Sequence, residues 1–205
     1  RNFVSLLYYF GMLSIDGTLD GETKLMIPNQ VVREQLYNYL LESCEQDEYQ
    51  HDDYIRSQLS TDLAYDGNWQ EYLGYIASRL QRYSSQRDKL KGESFVHVFT
   101  LAMASLNRFY RPVSEQDCQQ GYVDLFLRPE LEIYKDMRHS YIIELKYAKS
   151  KDTDQRVEQL RQEAIAQAHR YADTEVVKRG VGQTQLHKIV VVYRGMEMVV
   201  CEEIA

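Results

Sequence analysis

The sequence predicts an α/β protein: a mixed central sheet flanked by helices, preceded by a mainly helical segment that carries a β-hairpin. Three observations lead there. Past residue 92 the hydrophobic period passes from helical spacing to short β-branched and aromatic runs and back, in the order α, β, β, β, α, β with one further strand, which is a layered architecture. Two of those runs, 121–128 and 140–148, are apolar on both faces, as covered central strands are. The composition, 44% hydrophobic and 27% charged with ten Gly and only three Pro in 205 residues, excludes a disordered or collagen-like chain and fits one or two domains with cores of their own.

The elements follow in order. Residues 1–13 (RNFVSLLYYFGML) read as an apolar helix running into a short strand, and LSIDGTLDGETKLMIP as two strands around a Gly/Asp-rich turn, closed by Pro28-Asn29. From Gln30, Val31, Val32, Leu36, Tyr39 and Leu40 recur at helical spacing, predicting a helix of three to four turns. Residues 53–90 add two helices divided at Asp66-Gly67-Asn68. A helix over 92–110 carries an apolar stripe of Phe95, Phe99, Ala102, Leu106 and Phe109. Strands are expected at 112–118, 121–128, 140–148, 187–193 and 196–201. Between the third and fourth, 153–171 is amphipathic, with Val157, Leu160, Ala164, Ala168 and Tyr171 on one side.

Charge narrows the function. With 24 Lys+Arg against 31 Asp+Glu the net charge is −7, which argues against a general nucleic-acid coat; residues 1–91 hold −5 of it and the remainder −2. No run approaches the ~18 apolar residues that cross a bilayer, and Arg1-Asn2-Phe3 lacks a signal pattern, so a soluble, cytoplasmic protein is expected. Cys44, Cys118 and Cys201 form no CxxC pair and read as thiols in a reducing compartment. Because the chain starts at Arg1 rather than Met, it is expected to be processed or part of something longer.

The chemistry is carried by three charges on apolar strands. Asp124 is the one charge in Tyr122–Leu127, and Glu144 and Lys146 are the charges in Tyr141–Tyr147. Strand alternation puts Glu144 and Lys146 on one face, and pairing of the two strands brings Asp124 beside them. Burying such groups costs several kcal/mol per ion unless they pair or bind a metal. Two converging carboxylates supply hard oxygen ligands for Mg²⁺ or Mn²⁺. Such an ion polarises a phosphodiester and activates its bound water, while Lys146 neutralises charge developing on the phosphate. The bland alternative is a Glu144/Lys146/Asp124 ion network that only satisfies itself, since E-x-K alone is a weak signal. The joint pattern says more: Glu93 opening a helix, Gly121-x-x-Asp124 and Glu144-x-Lys146 on successive strong strands, then a helix carrying Gln167 and Tyr171.

On those residues the chain resembles the PD-(D/E)XK nuclease superfamily, whose core is a restriction-endonuclease-like αβββαβ. The signatures are GESFVH, GYVDLFL, SYIIELKYAK and AIAQAHRY, which look closest to the branch found C-terminal to AAA-ATPase-like domains in bacterial proteins. FVSLLYYFGMLSI and LMIPNQVVREQLYNYL resemble the end of such an ATPase-like domain. The resemblance implies three parts: 1–45 as the C-terminal remnant of the ATPase-like domain, 46–91 as a helical connector, and 92–205 as the nuclease-like domain. It implies Asp124 and Glu144 as metal ligands, Lys146 as the catalytic lysine, Glu93 as the helix acid, and Gln167 and Tyr171 as the helix motif at the site's edge. It implies Mg²⁺ or Mn²⁺ as cofactor, DNA as substrate with RNA as a weaker possibility, and an upstream ATPase-like domain as partner. Tyr122 stands where the family often has a basic residue, which removes a phosphate contact.

Other candidates are weaker. Glu93 and His97 are one helical turn apart and face either cleft or solvent. His51, His139, His169 and His187 show no zinc spacing, and no G-x-S-x-G, Walker or G-x-G-x-x-G motif occurs. The 17 tyrosines invite base stacking, but Tyr8, Tyr9, Tyr37, Tyr39, Tyr72 and Tyr75 sit at helical positions where packing is the better reading. Lys146, Lys149, Lys151, Arg156, Arg161 and Arg170 either track phosphates or belong to a solvated face alternating with Asp152, Asp154, Glu158 and Glu163. Two functions therefore stand against each other: a metal-dependent nuclease, and a catalytically inactive module of the same fold serving regulation or docking. A truncated N-terminal part would expose apolar surface, which pairing between copies as a homo-oligomer would cover.

Overall fold

The computed structural model describes residues 2–19, 22–28, 32, 35, 49–86, 92–113 and 125–205. The chain divides into two compact units, Arg1–Gln46 and Asp47–Ala205.

In the first unit the apolar N-terminal run forms helix α1 (Asn2–Tyr9), which ends where Gly11 N–H donates to Tyr8 O and Met12 N–H to Leu7 O. The expected hairpin is present as β1 (Ser14–Leu19) and β2 (Glu22–Met26), antiparallel from Ser14↔Met26 to Leu19↔Glu22. Of the helix expected from Gln30, positions 32 and 35 are described and both are helical. Tyr8 and Tyr9 were expected to pack, yet they are 48% and 83% exposed. A helix of two turns has too few buried positions to cover both.

The second unit is built on one sheet. Helices α2 (Tyr49–Tyr65) and α3 (Trp69–Gln86) are divided where expected, at a turn whose Gly67 has φ 76°. A Cβ there would also meet the His139 ring at 3.1 Å, so both backbone and space call for glycine. Helix α4 (Glu93–Ser105) buries Val96, Phe99, Thr100, Ala102 and Met103. It stops five residues short of the expected end, because Asn107 Oδ1 accepts the Phe109 N–H at 3.0 Å and turns the chain. Phe109 is still buried, but from outside the helix. The strands are β3 (Tyr110–Val113), β4 (Leu125–Pro129), β5 (His139–Ala148), β6 (Gln185–Arg194) and β7 (Glu197–Ile204), in the order β3-β4-β5-β6-β7. The first strand was expected at 112–118; it begins at Tyr110, and 114–118 lie outside the described residues. Pro112 fits there, since β3 is an edge strand.

Pairing is antiparallel except between β5 and β6, which run parallel from His139↔Gln185 to Ala148↔Arg194. Parallel neighbours need a crossover, supplied by helix α5 (Asp154–Ala172) and the short helix α6 (Glu175–Gly180). Thr153 caps α5 by accepting the Arg156 N–H. Helix α6 was not foreseen; six residues show no period, and the Thr174 hydroxyl accepting the Val177 N–H is its main local cause. At the β6–β7 hairpin Gly195 has φ 64°, and a Cβ would fall 2.5 Å from Ser150 Oγ.

The two faces of β5 are covered differently. Tyr141, on one face, donates its hydroxyl to Leu63 O of α2 at 2.7 Å. On the other face Ile142 packs with Phe126, Ala168, Tyr171 and Val177, while Ala148 packs with Val157, Leu160, Ala164, Val190 and Val192. The predicted stripe of α5 is therefore the surface that covers this side of the sheet.

A polar chain fastens the N-terminal end of β5. Trp69 Nε1 donates to Glu203 Oε2 at 3.2 Å, Glu203 Oε1 lies 2.7 Å from His187 Nδ1, and His187 Nε2 lies 2.8 Å from His139 Nδ1. With both rings neutral one arrangement satisfies the chain: His187 Nδ1–H donates to the carboxylate and His139 Nδ1–H to His187 Nε2. Burial, then the adjacent His187, holds His139 below the usual histidine value, with Arg138 acting the same way and Asp66 and the Tyr65 backbone opposing it. The unfolded chain takes up the proton first, so this contribution is complete above pH ~6.5 and is lost as pH falls below that toward the depressed folded value. Thermal melting should drop by a few degrees on acidification through this range, and His139→Asn should flatten that part of the profile. Parallel profiles for the two proteins would assign the acid sensitivity to other groups.

Candidate functional site

Glu144 and Lys146 occupy the middle of β5, on the face that α5 covers. Ile142, before them, lies under Ala168 and Tyr171; Ala148, after them, lies under Val157, Leu160 and Ala164. In sequence the two charges thus fall between the residues packed under Ala168 and those packed under Ala164, and the α5 stretch between these alanines carries Gln167. Lys146 Nζ is 3.5 Å from Glu144 Oε2, with side-chain exposures of 18% and 1%. Strand alternation alone predicted that shared face, and the pair is formed.

The others are placed as follows. Gln167 Oε1 is buried and accepts no hydrogen bond from a described residue. Tyr171 is 4% exposed and meets the Phe126 ring edge-on, with centroids 6.3 Å apart. Glu93 is the first residue of α4 and is exposed, and His97 is half-buried one turn on. Asp124 lies outside the described residues, as do Gly121 and Tyr122. Among the described residues no group of three or more His, Cys, Asp or Glu forms a metal site.

The donor set nevertheless fits a hard divalent cation. A carboxylate withdrawn from water and a buried amide oxygen that accepts no described hydrogen bond are oxygen ligands of the type Mg²⁺ and Mn²⁺ take. Among the described residues the one cysteine is Cys201. Cys201 is a free, partly buried thiol, and burial, then Glu202, pushes it up to about 11, which disfavours the reactive thiolate. Cys44 and Cys118 lie outside the described residues.

The three arginines of α5 fit the solvated reading. Arg161 bonds Glu202 through its Nε and Glu158 through its Nη1, Arg156 reaches Glu163 and Gln159, and Arg170 donates to Ala166 O. Of the tyrosines proposed for packing, Tyr72 is 2% exposed and burial raises its hydroxyl to about 12, while Tyr37 and Tyr39 lie outside the described residues.

Residues 91–203, more than half the chain, match the family model of the PD-(D/E)XK nuclease superfamily. The chain belongs to that superfamily. Its five-stranded mixed sheet with flanking helices is the restriction-endonuclease-like α/β fold that membership implies. PD-(D/E)XK nucleases generally use divalent metal ions. No curated protein and no solved structure matches the chain at a significant level. Among the described residues no helix is long and apolar enough to cross a membrane.

Proposed function

We propose that this PD-(D/E)XK protein is a metal-dependent nuclease hydrolysing DNA phosphodiester bonds, with Mg²⁺ or Mn²⁺ held by Asp124 and Glu144. The observation that carries the reading is a withdrawn carboxylate and a lysine, 3.5 Å apart on a central strand, on the face covered by α5, the helix that carries Gln167. The β4–β5 register supports a second ligand from this strand: Leu125, the first residue of β4, pairs with Ile143, the neighbour of Glu144. A bound ion would polarise the scissile phosphate and activate its water. Lys146 holds positive charge next to where the phosphorane develops. Gln167 orients what lies between α5 and β5, Tyr171 walls the edge, and Glu93 is the outer acid.

In this reading 92–205 is the nuclease domain, 46–91 a connector, and 1–45 the end of an ATPase-like domain whose remainder is the upstream partner. A second reading, a catalytically inactive module for regulation or docking, is favoured by one observation: the arginines of α5 are engaged with acids and a backbone carbonyl rather than offered to phosphate.

Incubation with single- and double-stranded DNA, and with RNA, in Mg²⁺, in Mn²⁺ and in chelator separates the two. Cleavage that needs the ion and falls by on the order of a hundredfold or more in Asp124→Asn is expected. A wild-type chain that cuts none of these and binds no divalent ion by calorimetry leaves the inactive module.

A further inference from the structure

We propose that Arg111 and Arg128 form a second subsite, separate from Glu144 and Lys146, that binds the phosphodiester backbone of the nucleic acid; this rests on the nuclease reading above. Arg111 of β3 faces Arg128 of β4 directly across the ladder, and both side chains are exposed. Like charges directly opposite one another destabilise a sheet. One charge on an edge strand suffices to discourage edge-to-edge pairing; a second opposite it on the next strand adds repulsion without adding protection. Neither guanidinium has a hydrogen bond or ion pair among the described residues, so the repulsion is not offset there.

The surroundings fix where the pair points. Pairing Val113↔Phe126 and Phe126↔Ile142 shows that Arg111, Arg128 and Glu144 share one face of the sheet. Gly180, the last residue of α6, leaves the space through which Arg128 emerges: a Cβ there would lie 2.9 Å from the Phe126 ring and 3.6 Å from Arg128 Cγ. Leu127 faces Tyr141, so Arg128 stands four residues of strand from the level of Glu144, or about 13 Å. That is a few nucleotides at ~3.4 Å per phosphate of a duplex strand. Lys178 and Arg179 of α6 are exposed near the same end, in exposed pairs with Asp173 and Glu175 that cost little to exchange. Two guanidinium forks set across one ladder rung can take a single phosphate from both sides.

The test is Arg111→Ala/Arg128→Ala measured against wild type, with folding checked by circular dichroism. Cleavage of an oligonucleotide long enough to span both sites should show KM raised about tenfold with kcat little changed, and the slope of log affinity against log salt, measured in Ca²⁺, should shrink by about one. A short substrate confined to the Glu144 end should be cut equally by both proteins. Unchanged KM and unchanged salt slope in a double variant compared with an active wild type overturn the subsite alone. A wild type that neither cuts nor binds nucleic acid overturns the nuclease reading and the subsite with it.

Discussion

Glu144→Gln is expected to lose both divalent-ion binding and cleavage, whereas Lys146→Met keeps the ion and still loses cleavage by on the order of a hundredfold or more. The split follows from what each side chain brings. The amide replacing Glu144 is nearly the same shape but carries no charge, so the attraction for a hard dication is removed while the packing under α5 is kept. Lys146 lies 3.5 Å from that carboxylate and is 18% exposed, and in the proposed mechanism it acts on the substrate phosphate rather than as a ligand of the ion. Mn²⁺ binding followed by calorimetry, alongside single-turnover cleavage, reads the two effects separately. Retained ion binding in Glu144→Gln would remove this residue from the metal centre.

Phe126→Ala should cost about 3–5 kcal/mol of stability, the range for emptying a fully buried aromatic site. Phe126 is 0% exposed and stands at the centre of the cluster with Ile142, Ala168, Tyr171 and Val177. Its neighbours are ill placed to collapse into the void, because Gly180 already brings the α6 backbone against the ring and has no side chain to extend. Guanidinium denaturation should show a lowered midpoint at unchanged slope. Phe126→Leu, which keeps most of the volume, should cost well under half as much. A loss of less than ~1 kcal/mol in the alanine variant would mean that the cluster is not what clamps α5 and α6 to the sheet.

What could be read in advance was whatever left a contrast in the sequence. Glu144 and Lys146 were visible because charges stand out in an apolar strand, and alternation then fixed their common face. The covering stripe of α5 was visible because nineteen residues give several turns of period. Features decided by a single side chain were not. The early end of α4 depends on Asn107 competing for a backbone N–H, and α6 on one threonine cap. The His139–His187–Glu203 chain and the Arg111–Arg128 rung join residues far apart in sequence, so only strand register brings them together. Asp124, singled out by the same contrast as Glu144, lies outside the described residues.

The parallel β5–β6 pair also sets an order of events. Its two strands are separated by the whole of α5 and α6, so closing that pair incurs the loop entropy before any rung repays it. The antiparallel β6–β7 hairpin, with its short turn at Gly195, bears no such delay. Glu144 loses its water only when β6 lies alongside it and α5 docks above. The centre proposed for catalysis is therefore expected to be among the last parts of the molecule to be assembled, and a divalent ion bound there would act as a clasp on that final docking step.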